Sequence, residues 1–215
     1  MAADLIILFA KAPIPGQVKT RLLTALTPQI AADLHSAFVY DMISRFRGLP
    51  DADFELHTDI RTDAWQDVAV TRKLQISEDL GLRMIHGLAE GERAGYRRSL
   101  IVGSDAPTLP ASSIQYLLAS QADVALGPAD DGGFYAISAR RTDPSMFDGV
   151  AWSRPNTMAQ TIESLECCGL TVDIGPTWFD IDEPADLDRL RSEPELPPYT
   201  AAALRRATAM LQGIG

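Results

Sequence analysis

The chain has 215 residues, of which 46% are hydrophobic and 22% charged, and its formal net charge at pH 7 is −10. This size and balance fit one globular domain with a substantial core, and the acidity argues against nucleic acid or an anionic membrane as the main partner. The N-terminus lacks a basic region followed by a long apolar stretch, and the two cysteines are the neighbours Cys167 and Cys168. We therefore expect a cytoplasmic protein without a disulfide framework or a zinc site.

Short apolar runs alternate with helical patterns along the chain, which predicts an α/β fold with a mostly parallel sheet. After a first strand at 5–9, a helix is expected from Thr27, an N-cap followed by proline, with apolar residues at every fourth position until Gly48 and Pro50. Further strands are predicted at 54–57, 69–76, 99–103, 123–126, 134–138 and 171–174, and the strand at 134–138 is a candidate for the antiparallel direction. Further helices are predicted at 82–96, 110–121 and 156–168, and from residue 183 onwards.

The C-terminal part of the chain differs in composition from the rest. A connector rich in Pro and Glu spans about 192–198, and an amphipathic helix is predicted at 200–211. We predict a main domain at residues 1–191, followed at 192–215 by the connector and a helix packed on that domain or on a partner subunit. A homodimer is thus one alternative.

The loop after the first strand concentrates positive charge. The chain has three lysines, and two of them, Lys11 and Lys19, lie in this loop together with Arg21. A loop bounded by Gly and Pro at the carboxyl end of a strand combines free backbone N–H groups with these charges, as in polyphosphate sites of α/β proteins. We therefore predict a phosphate-binding loop, with a solvated surface loop as the alternative. The candidate residues are Lys11, Gly16, Lys19, Thr20 and Arg21.

Acidic residues follow two later strands. Asp105 stands at the tip of the strand at 99–103, while Asp180 and Asp182 are two positions apart, so that in an extended segment they point to one face. Carboxylate oxygens suit Mg²⁺ or Mn²⁺ that is shared with substrate phosphates. We predict a metal site from these three residues. The alternatives are a helix cap for Asp105 and a favourable helix-dipole contact for the other two.

Two further segments have weaker chemical signals. Asp130 and Asp131 precede Gly132 and Gly133, so that carboxylates which could bind a sugar hydroxyl or a metal stand beside backbone that a ligand can approach closely. The same Asp-Gly pair is also a turn signal without chemistry. Arg83 could reach a phosphate or a base, or could be a surface arginine of a helix.

The motifs of the chain, taken together in their order, resemble those of a known family. The motifs are K-x-P-x-P-G-x-V-K-T-R-L at 11–22, D-L-G-x-R-M at 79–84, G-S-D-x-P-x-L at 103–109, G-P-A-D-D-G-G-F-Y at 127–135, W-S at 152–153 and D-I-D-x-P-x-D-L at 180–187. Over about residues 4–191 the chain resembles the bacterial GT-A-fold nucleotide-diphospho-sugar transferase-like proteins, which are related to 2-phospho-lactate and, more distantly, molybdenum cofactor guanylyltransferases. The resemblance implies a Rossmann-like three-layer α/β/α fold with a mixed, mostly parallel sheet. It also implies Mg²⁺ on Asp105 with Asp182 as the expected second ligand, and a triphosphate surrounded by Lys11, Lys19 and Arg21.

The leading functional hypothesis is metal-dependent transfer from an activated nucleotide to a small acceptor. In its nucleotidyl form, a phosphate or carboxylate acceptor would take the nucleotide from a triphosphate and pyrophosphate would leave, with Lys19, Arg21 and Asp105 as catalytic residues. Arg83 would add a nucleotide contact, and the segment 130–133 would bind the other substrate. The alternatives are glycosyl transfer from a nucleotide-diphospho-sugar and a non-catalytic nucleotide-binding module.

Overall fold

The computed structural model describes residues 3–211 and contains one seven-stranded sheet. The strands are β1 (Asp4–Ala10), β2 (Ala52–Thr58), β3 (Thr71–Leu74), β4 (Ser99–Gly103), β5 (Val124–Pro128), β6 (Phe134–Ala139) and β7 (Val172–Ile174). Their order is β3-β2-β1-β4-β6-β5-β7. Every neighbouring pair is parallel except the two that involve β6, which runs antiparallel to β4 and β5. The predicted mixed, mostly parallel sheet is confirmed, and so is the antiparallel direction of the strand at 134–138.

Six α-helices connect or follow the strands. They are α1 (Pro28–Phe46), α2 (Leu80–Arg93), α3 (Ala111–Ala119), α4 (Thr157–Cys167), α5 (Pro184–Arg191) and α6 (Pro198–Leu211), and a short 3₁₀ helix spans Thr20–Thr24. Within residues 3–211, none of these helices has the length and apolar character needed to cross a membrane.

The sheet has an apolar layer on each face. Along β1, Ile6 and Leu8 are buried in one cluster with residues of α1 and α3, whereas Leu5 and Ile7 are buried in another with residues of α2 and α4. This alternation follows from the two-residue period of a strand. Because β1 is covered on both faces, its sequence is a continuous apolar run, as expected for a central parallel strand. The result is a three-layer α/β/α arrangement.

Helix α1 starts and packs as its sequence predicts. The Thr27 hydroxyl accepts a hydrogen bond from the backbone N–H of Ile30 at 3.3 Å, and proline occupies the first turn. The apolar stripe of the helix is fully buried: Ile30, Leu34, Phe38, Met42 and Phe46.

Helix α6 packs against α1 in a third apolar cluster, in which Ala203, Leu204 and Ala207 lie among residues of α1 and α5. The buried carboxylate of Asp41 on α1 accepts hydrogen bonds from the backbone N–H groups of Thr200 at 2.7 Å and Tyr199 at 3.1 Å. These bonds satisfy donors in the first turn of α6, which would otherwise lack partners. The division of the chain at residue 191 stays a prediction.

Two helix starts differ from the sequence-based expectation. Helix α2 begins at Leu80 because the carboxylate of Asp79 accepts from the backbone N–H of Leu82 at 2.9 Å. At α4, Asn156 makes no capping bond with its side chain. Instead, the Thr157 hydroxyl accepts from the N–H of Arg154 at 3.0 Å, which fixes the turn before the helix.

Candidate active site

The candidate site lies at the carboxyl ends of the neighbouring strands β1 and β4. The loop after β1 contains Lys19, and the segment after β4 contains Asp105. A third segment reaches them from far along the chain, since the backbone N–H of Ile181 donates to the carbonyl oxygen of Asp105 at 2.8 Å. Three of the predicted motifs therefore meet at one edge of the sheet, where open α/β sheets bind ligands.

A single ammonium group joins these segments. Lys19 Nζ lies 2.5 Å from Asp105 Oδ1 and 3.1 Å from Asp182 Oδ1, and it donates to the carbonyl oxygen of Ile181 at 2.6 Å. The Lys19 side chain is only 3% exposed, whereas those of Asp105 and Asp182 are 41% and 38% exposed. The ammonium is thus buried behind two carboxylates that remain open to an incoming ligand.

The backbone of Lys19 has an unusual conformation. Its φ is 48° and its ψ is 41°, in the left-handed region, which costs a non-glycine residue about 1–2 kcal/mol. The ring of Phe38 on α1 lies 5.7 Å from the ammonium nitrogen, within the range of a cation–π contact. The ion pairs and this contact stabilise a conformation that the local sequence alone would disfavour.

Lys19 and Asp105 hold each other in their charged forms. Burial would lower the pKa of Lys19, but the charges of Asp105 and Asp182 outweigh it and raise that pKa above its ordinary value. Burial would likewise raise the pKa of Asp105, and the Lys19 ammonium outweighs it, so that the pKa of Asp105 lies below its ordinary value. At neutral pH the site therefore contains a charged lysine in contact with the ionised carboxylate of Asp105.

Asp180 is in a different electrostatic position. Its half-buried side chain forms no hydrogen bond or ion pair with another residue in the described range 3–211. Burial, and then the nearby charges of Asp105 and Asp182, raise its pKa to about 7. The Lys19 ammonium opposes this rise only in part, because its direct contacts are with Asp105 and Asp182 and not with Asp180.

This position predicts a pH-dependent stability. Because the folded pKa of Asp180 is about 7 and its ordinary value is 3.8, the folded state binds the proton more tightly, and stability decreases as pH rises between these values. We expect Asp180→Asn to gain stability over the wild type by about 1 kcal/mol per pH unit between pH 5 and 7, with no further gain above pH 8. Urea unfolding in EDTA measures the difference. A difference that is constant from pH 5 to 8 would contradict the assigned titration.

The acidic residues fit a divalent cation that arrives with a phosphate ligand. Within residues 3–211, no group of three or more His, Cys, Asp or Glu side chains is arranged to hold a metal ion on its own. The oxygens of Asp105 and Asp182 nevertheless converge on one cation, the Lys19 ammonium, and Asp180 adds a further carboxyl group nearby. Mg²⁺ commonly binds one or two carboxylates and completes its ligand shell with substrate phosphates and water.

The other residues of the predicted phosphate loop lie before and after Lys19 in the chain, mostly on the surface. Arg21 is exposed, and its Nη1 lies 3.9 Å from Asp182 Oδ2. Gly16 has a φ of 80° in a turn closed by a hydrogen bond from the N–H of Gln17 to the carbonyl of Ile14. The remaining two predicted residues of the loop, Lys11 and Thr20, are exposed on its surface.

A buried histidine supports this loop, although its role was missed in the sequence. His35 Nε2 lies 2.9 Å from the carbonyl oxygen of Lys11, and burial lowers the pKa of His35. The residue lies on α1, next to the buried apolar stripe. The signal in the sequence was its place beside Leu34 of the apolar stripe, which predicts a buried histidine that needs a hydrogen-bond partner.

The segment 130–133 is divided between two environments. Asp130 Oδ2 forms an ion pair with Arg189 Nη1 at 2.6 Å, and Asp130 does not line the pocket of about 280 Å³ that lies beside Asp105. Asp131 Oδ1 accepts from the backbone N–H of Gly133 at 2.9 Å, as the turn interpretation predicts, and Asp131 also lines the pocket together with Gly133. Gly132 has a φ of 88°, which favours glycine.

Arg83 and the later acidic pair also have defined contacts. Arg83 Nε donates to the carbonyl of Ser77 at 2.6 Å, a local bond that shapes the start of α2.

The N-terminus of α5 is capped by Glu183 and Asp186, so neither Asp180 nor Asp182 is its cap. Asp105 does not cap α3 either, because Pro110 occupies that N-cap position. The capping alternative for Asp105 is therefore wrong.

A pocket of about 280 Å³ opens beside the acidic residues, and Asp105, Asp131 and Asp180 line it. Its apolar wall contains Trp152 and Phe134, whose ring centroids are 6.3 Å apart. This wall was not predicted from the sequence, although both residues lie in motifs of the family pattern. Further lining residues that were missed include Phe9, Leu80, Met84 and Arg154.

Comparisons with known proteins identify the family of the chain. The family described as "Uncharacterized protein conserved in bacteria (DUF2064)" matches residues 50–154. A protein from Desulfovibrio desulfuricans G20, provisionally named a nucleotide-diphospho-sugar transferase, is 32% identical, with 100% of this chain and 99% of that one covered and a TM-score of 0.85. The chain belongs to this nucleotide-diphospho-sugar transferase-like family. The resemblance seen in its motifs and the predicted fold class are thereby confirmed.

More distant solved structures share the fold of this transferase-like protein. CMP:2-keto-3-deoxy-manno-octonic acid synthetase, complexed with CTP, is 12% identical with a TM-score of 0.56, over 89% of this chain and 98% of that one. The 2-C-methyl-D-erythritol 4-phosphate cytidylyltransferase from Thermus thermophilus is 13% identical with a TM-score of 0.51, over 94% and 99%. At these identities the likeness establishes the fold alone. A comparison with curated proteins gave no match.

Proposed function

We propose that the protein is a Mg²⁺-dependent nucleotidyltransferase that joins a nucleotide to a small acceptor and releases pyrophosphate. The observation that carries this proposal is the convergence of Lys19, Asp105 and Asp182 beside a pocket that Asp105 lines. Such a site contains a cation that can neutralise phosphate charge and carboxylates that can bind a metal ion. Such transfers depend mainly on positioning and electrostatic stabilisation, so a nucleophilic side chain is not required.

The donor triphosphate would bind at the cationic loop. Arg21 and Lys11 are exposed on that loop and can contact phosphate oxygens, and Lys19 lies behind them. Asp105 and Asp182 would hold Mg²⁺, which when bound neutralises charge on the phosphates. An acceptor oxygen would form a bond to the α-phosphorus while the bond to pyrophosphate breaks, and the electron pair of that bond leaves with pyrophosphate.

The acceptor would bind in the pocket beside Asp105. A volume of about 280 Å³ suits a small molecule, and the wall of Trp152 and Phe134 suits an apolar or sugar-like body. The exposed guanidinium of Arg154, at the same pocket, suits a phosphate or carboxylate on the acceptor. These features favour a small anionic acceptor.

Glycosyl transfer from a nucleotide-diphospho-sugar is the second candidate. It is favoured by the name of the 32% identical relative, which refers to a nucleotide-diphospho-sugar transferase. The fold neighbours, by contrast, are named as a CMP:2-keto-3-deoxy-manno-octonic acid synthetase and a cytidylyltransferase, in agreement with nucleotidyl transfer. In the glycosyl reaction the leaving group would be a nucleoside diphosphate, and Asp131 would contact the sugar.

The identity of the leaving group distinguishes the two reactions. Nucleoside triphosphates and nucleotide-sugars are first screened by thermal shift with and without Mg²⁺, because a ligand that binds the native state raises the melting temperature. The best donors are then incubated with mixed small phosphorylated and carboxylate acceptors. We expect pyrophosphate release that requires Mg²⁺ and is absent from Asp105→Asn. Release of nucleoside diphosphate from a nucleotide-sugar would establish the second candidate, and binding that ignores Mg²⁺ without turnover would contradict both.

A further inference from the structure

A second concave surface lies at the outer edge of the sheet. This edge groove has a volume of about 1020 Å³ and is formed by the residues that follow β2, by β3, and by one side of α2. Strand β3 pairs only with β2 in the sheet of residues 3–211, so its other edge is unpaired there. The groove shares no lining residue with the pocket at Asp105.

The groove contains guanidinium groups whose charge is not compensated. Arg72 donates to the backbone carbonyls of Thr62, at 3.4 Å, and Ala64, which fix its orientation without neutralising it. Arg61 and Arg93 are exposed, and neither side chain forms an ion pair or a hydrogen bond with another residue of the described range 3–211.

Lys73 and Glu90, which also line the groove, are paired with each other. Lys73 Nζ lies 2.7 Å from Glu90 Oε1 and 3.1 Å from Glu55 Oε2, so this lysine is shared by two carboxylates and is not available to an anion. Asp63 Oδ1 accepts from the amide of Gln66 at 2.6 Å and is the one carboxylate of the lining that has no cationic partner. Three guanidinium groups therefore face one carboxylate in a chain whose net charge is −10.

Exposed arginines alone do not indicate a ligand. Arg205 and Arg206 on α6 are exposed, and Arg205 lines a smaller groove whose other arginine, Arg191, is paired with Asp188 at 2.9 Å. The edge groove differs because three arginines line one concave surface, where their mutual repulsion opposes clustering unless an anion binds between them. The guanidinium group presents a planar set of donors that matches phosphate oxygens in a bidentate manner. The volume exceeds the need of a single phosphate.

We propose that the edge groove binds a small molecule with two or more phosphate groups, at a site separate from the proposed active site. Arg61, Arg72 and Arg93 would contact the phosphates. Leu74 and Ile76, which line the same groove and are exposed, would contact an apolar part of the ligand. This proposal does not depend on which reaction the Asp105 site performs.

Titration calorimetry with inorganic tripolyphosphate, in EDTA and at low salt, tests the edge groove. The wild type is compared with the double variant Arg61→Gln/Arg93→Gln and with Arg205→Gln/Arg206→Gln, which changes the net charge equally on α6. We expect the groove variant to bind tripolyphosphate at one class of sites at least tenfold more weakly, while the α6 variant stays within twofold of the wild type. Higher NaCl should weaken the wild-type site and reduce the difference between the variants.

The outcomes separate this proposal from the proposed function. The Mg²⁺-dependent thermal shift with a nucleoside triphosphate reports on the Asp105 site and should be equal in the wild type and the groove variant. Superimposable tripolyphosphate isotherms for these two proteins would overturn the edge-groove proposal. An equal loss in the α6 variant would also overturn it, because net charge would then explain the binding. If the double variant fails to fold by circular dichroism, the single variant Arg61→Gln should still show at least a threefold loss.

Discussion

Replacing Lys19 with alanine is expected to lower nucleotide turnover by about 10²–10³-fold, the usual effect of removing one group that stabilises developing charge. The same change should lower the free energy of unfolding by about 2–4 kcal/mol, because Asp105 and Asp182 lose a buried partner at 2.5 and 3.1 Å. Part of that loss is offset, since both carboxylates remain open to water. Initial-rate kinetics and urea unfolding in EDTA measure the two effects.

A response to metal distinguishes the roles that Lys19 can have. If its ammonium occupies the position between Asp105 and Asp182 where a divalent cation would bind, then Mn²⁺ without nucleotide should stabilise Lys19→Ala more than the wild type. Thermal unfolding with and without Mn²⁺ provides the comparison. Lys11→Ala is the matched control, because this exposed lysine of the same loop forms no ion pair among residues 3–211. Equal Mn²⁺ responses in all three proteins would limit Lys19 to a phosphate contact or a structural ion pair.

The fold could be predicted because its signals are local. The continuous apolar run of β1, the capped start of α1 and the four-residue period of its buried stripe each predict their own element. The active-site candidates were predictable for a related reason, because polar motifs at strand ends must meet at one edge of a parallel sheet. Lys19, Asp105 and Asp182 meet there, although up to 163 positions separate them in the chain.

The parts that could not be predicted depend on contacts between distant segments. From the sequence we predicted that Lys19 contacts phosphate, but in the structure its ammonium contacts two carboxylates and the carbonyl of Ile181. These contacts depend on the packing of segment 180–182 against the segment that follows β4. Trp152 forms a pocket wall because its loop folds back onto Gly81, where an added Cβ would lie 3.0 Å from the indole. Hydrophobic periodicity contains no information about such a loop, since it belongs to neither a helix nor a strand.

Replacing Gly132 with alanine should be among the most destabilising single changes near the pocket. A Cβ at this position would lie 2.0 Å from the carbonyl oxygen of Pro155, and the φ of 88° is itself unfavourable for alanine. The backbone cannot easily move away, because the N–H of Met158 donates a hydrogen bond to the carbonyl of Gly132 at 2.9 Å. Left-handed strain and the forced separation of two backbones together should cost about 3–4 kcal/mol, measured by urea unfolding.

Gly16→Ala is the control that separates steric overlap from backbone strain. Gly16 has a similar φ of 80°, but nothing lies within 4 Å of its added Cβ, so its replacement should cost only about 1 kcal/mol. Because the loops that contain Gly132 and Pro155 border the pocket through Asp131 and Arg154, the Gly132 variant should also raise the KM for the acceptor more than that for the donor. Equal stability losses in the two alanine variants would show that the loops separate without cost, and the pocket wall would then be adjustable rather than fixed.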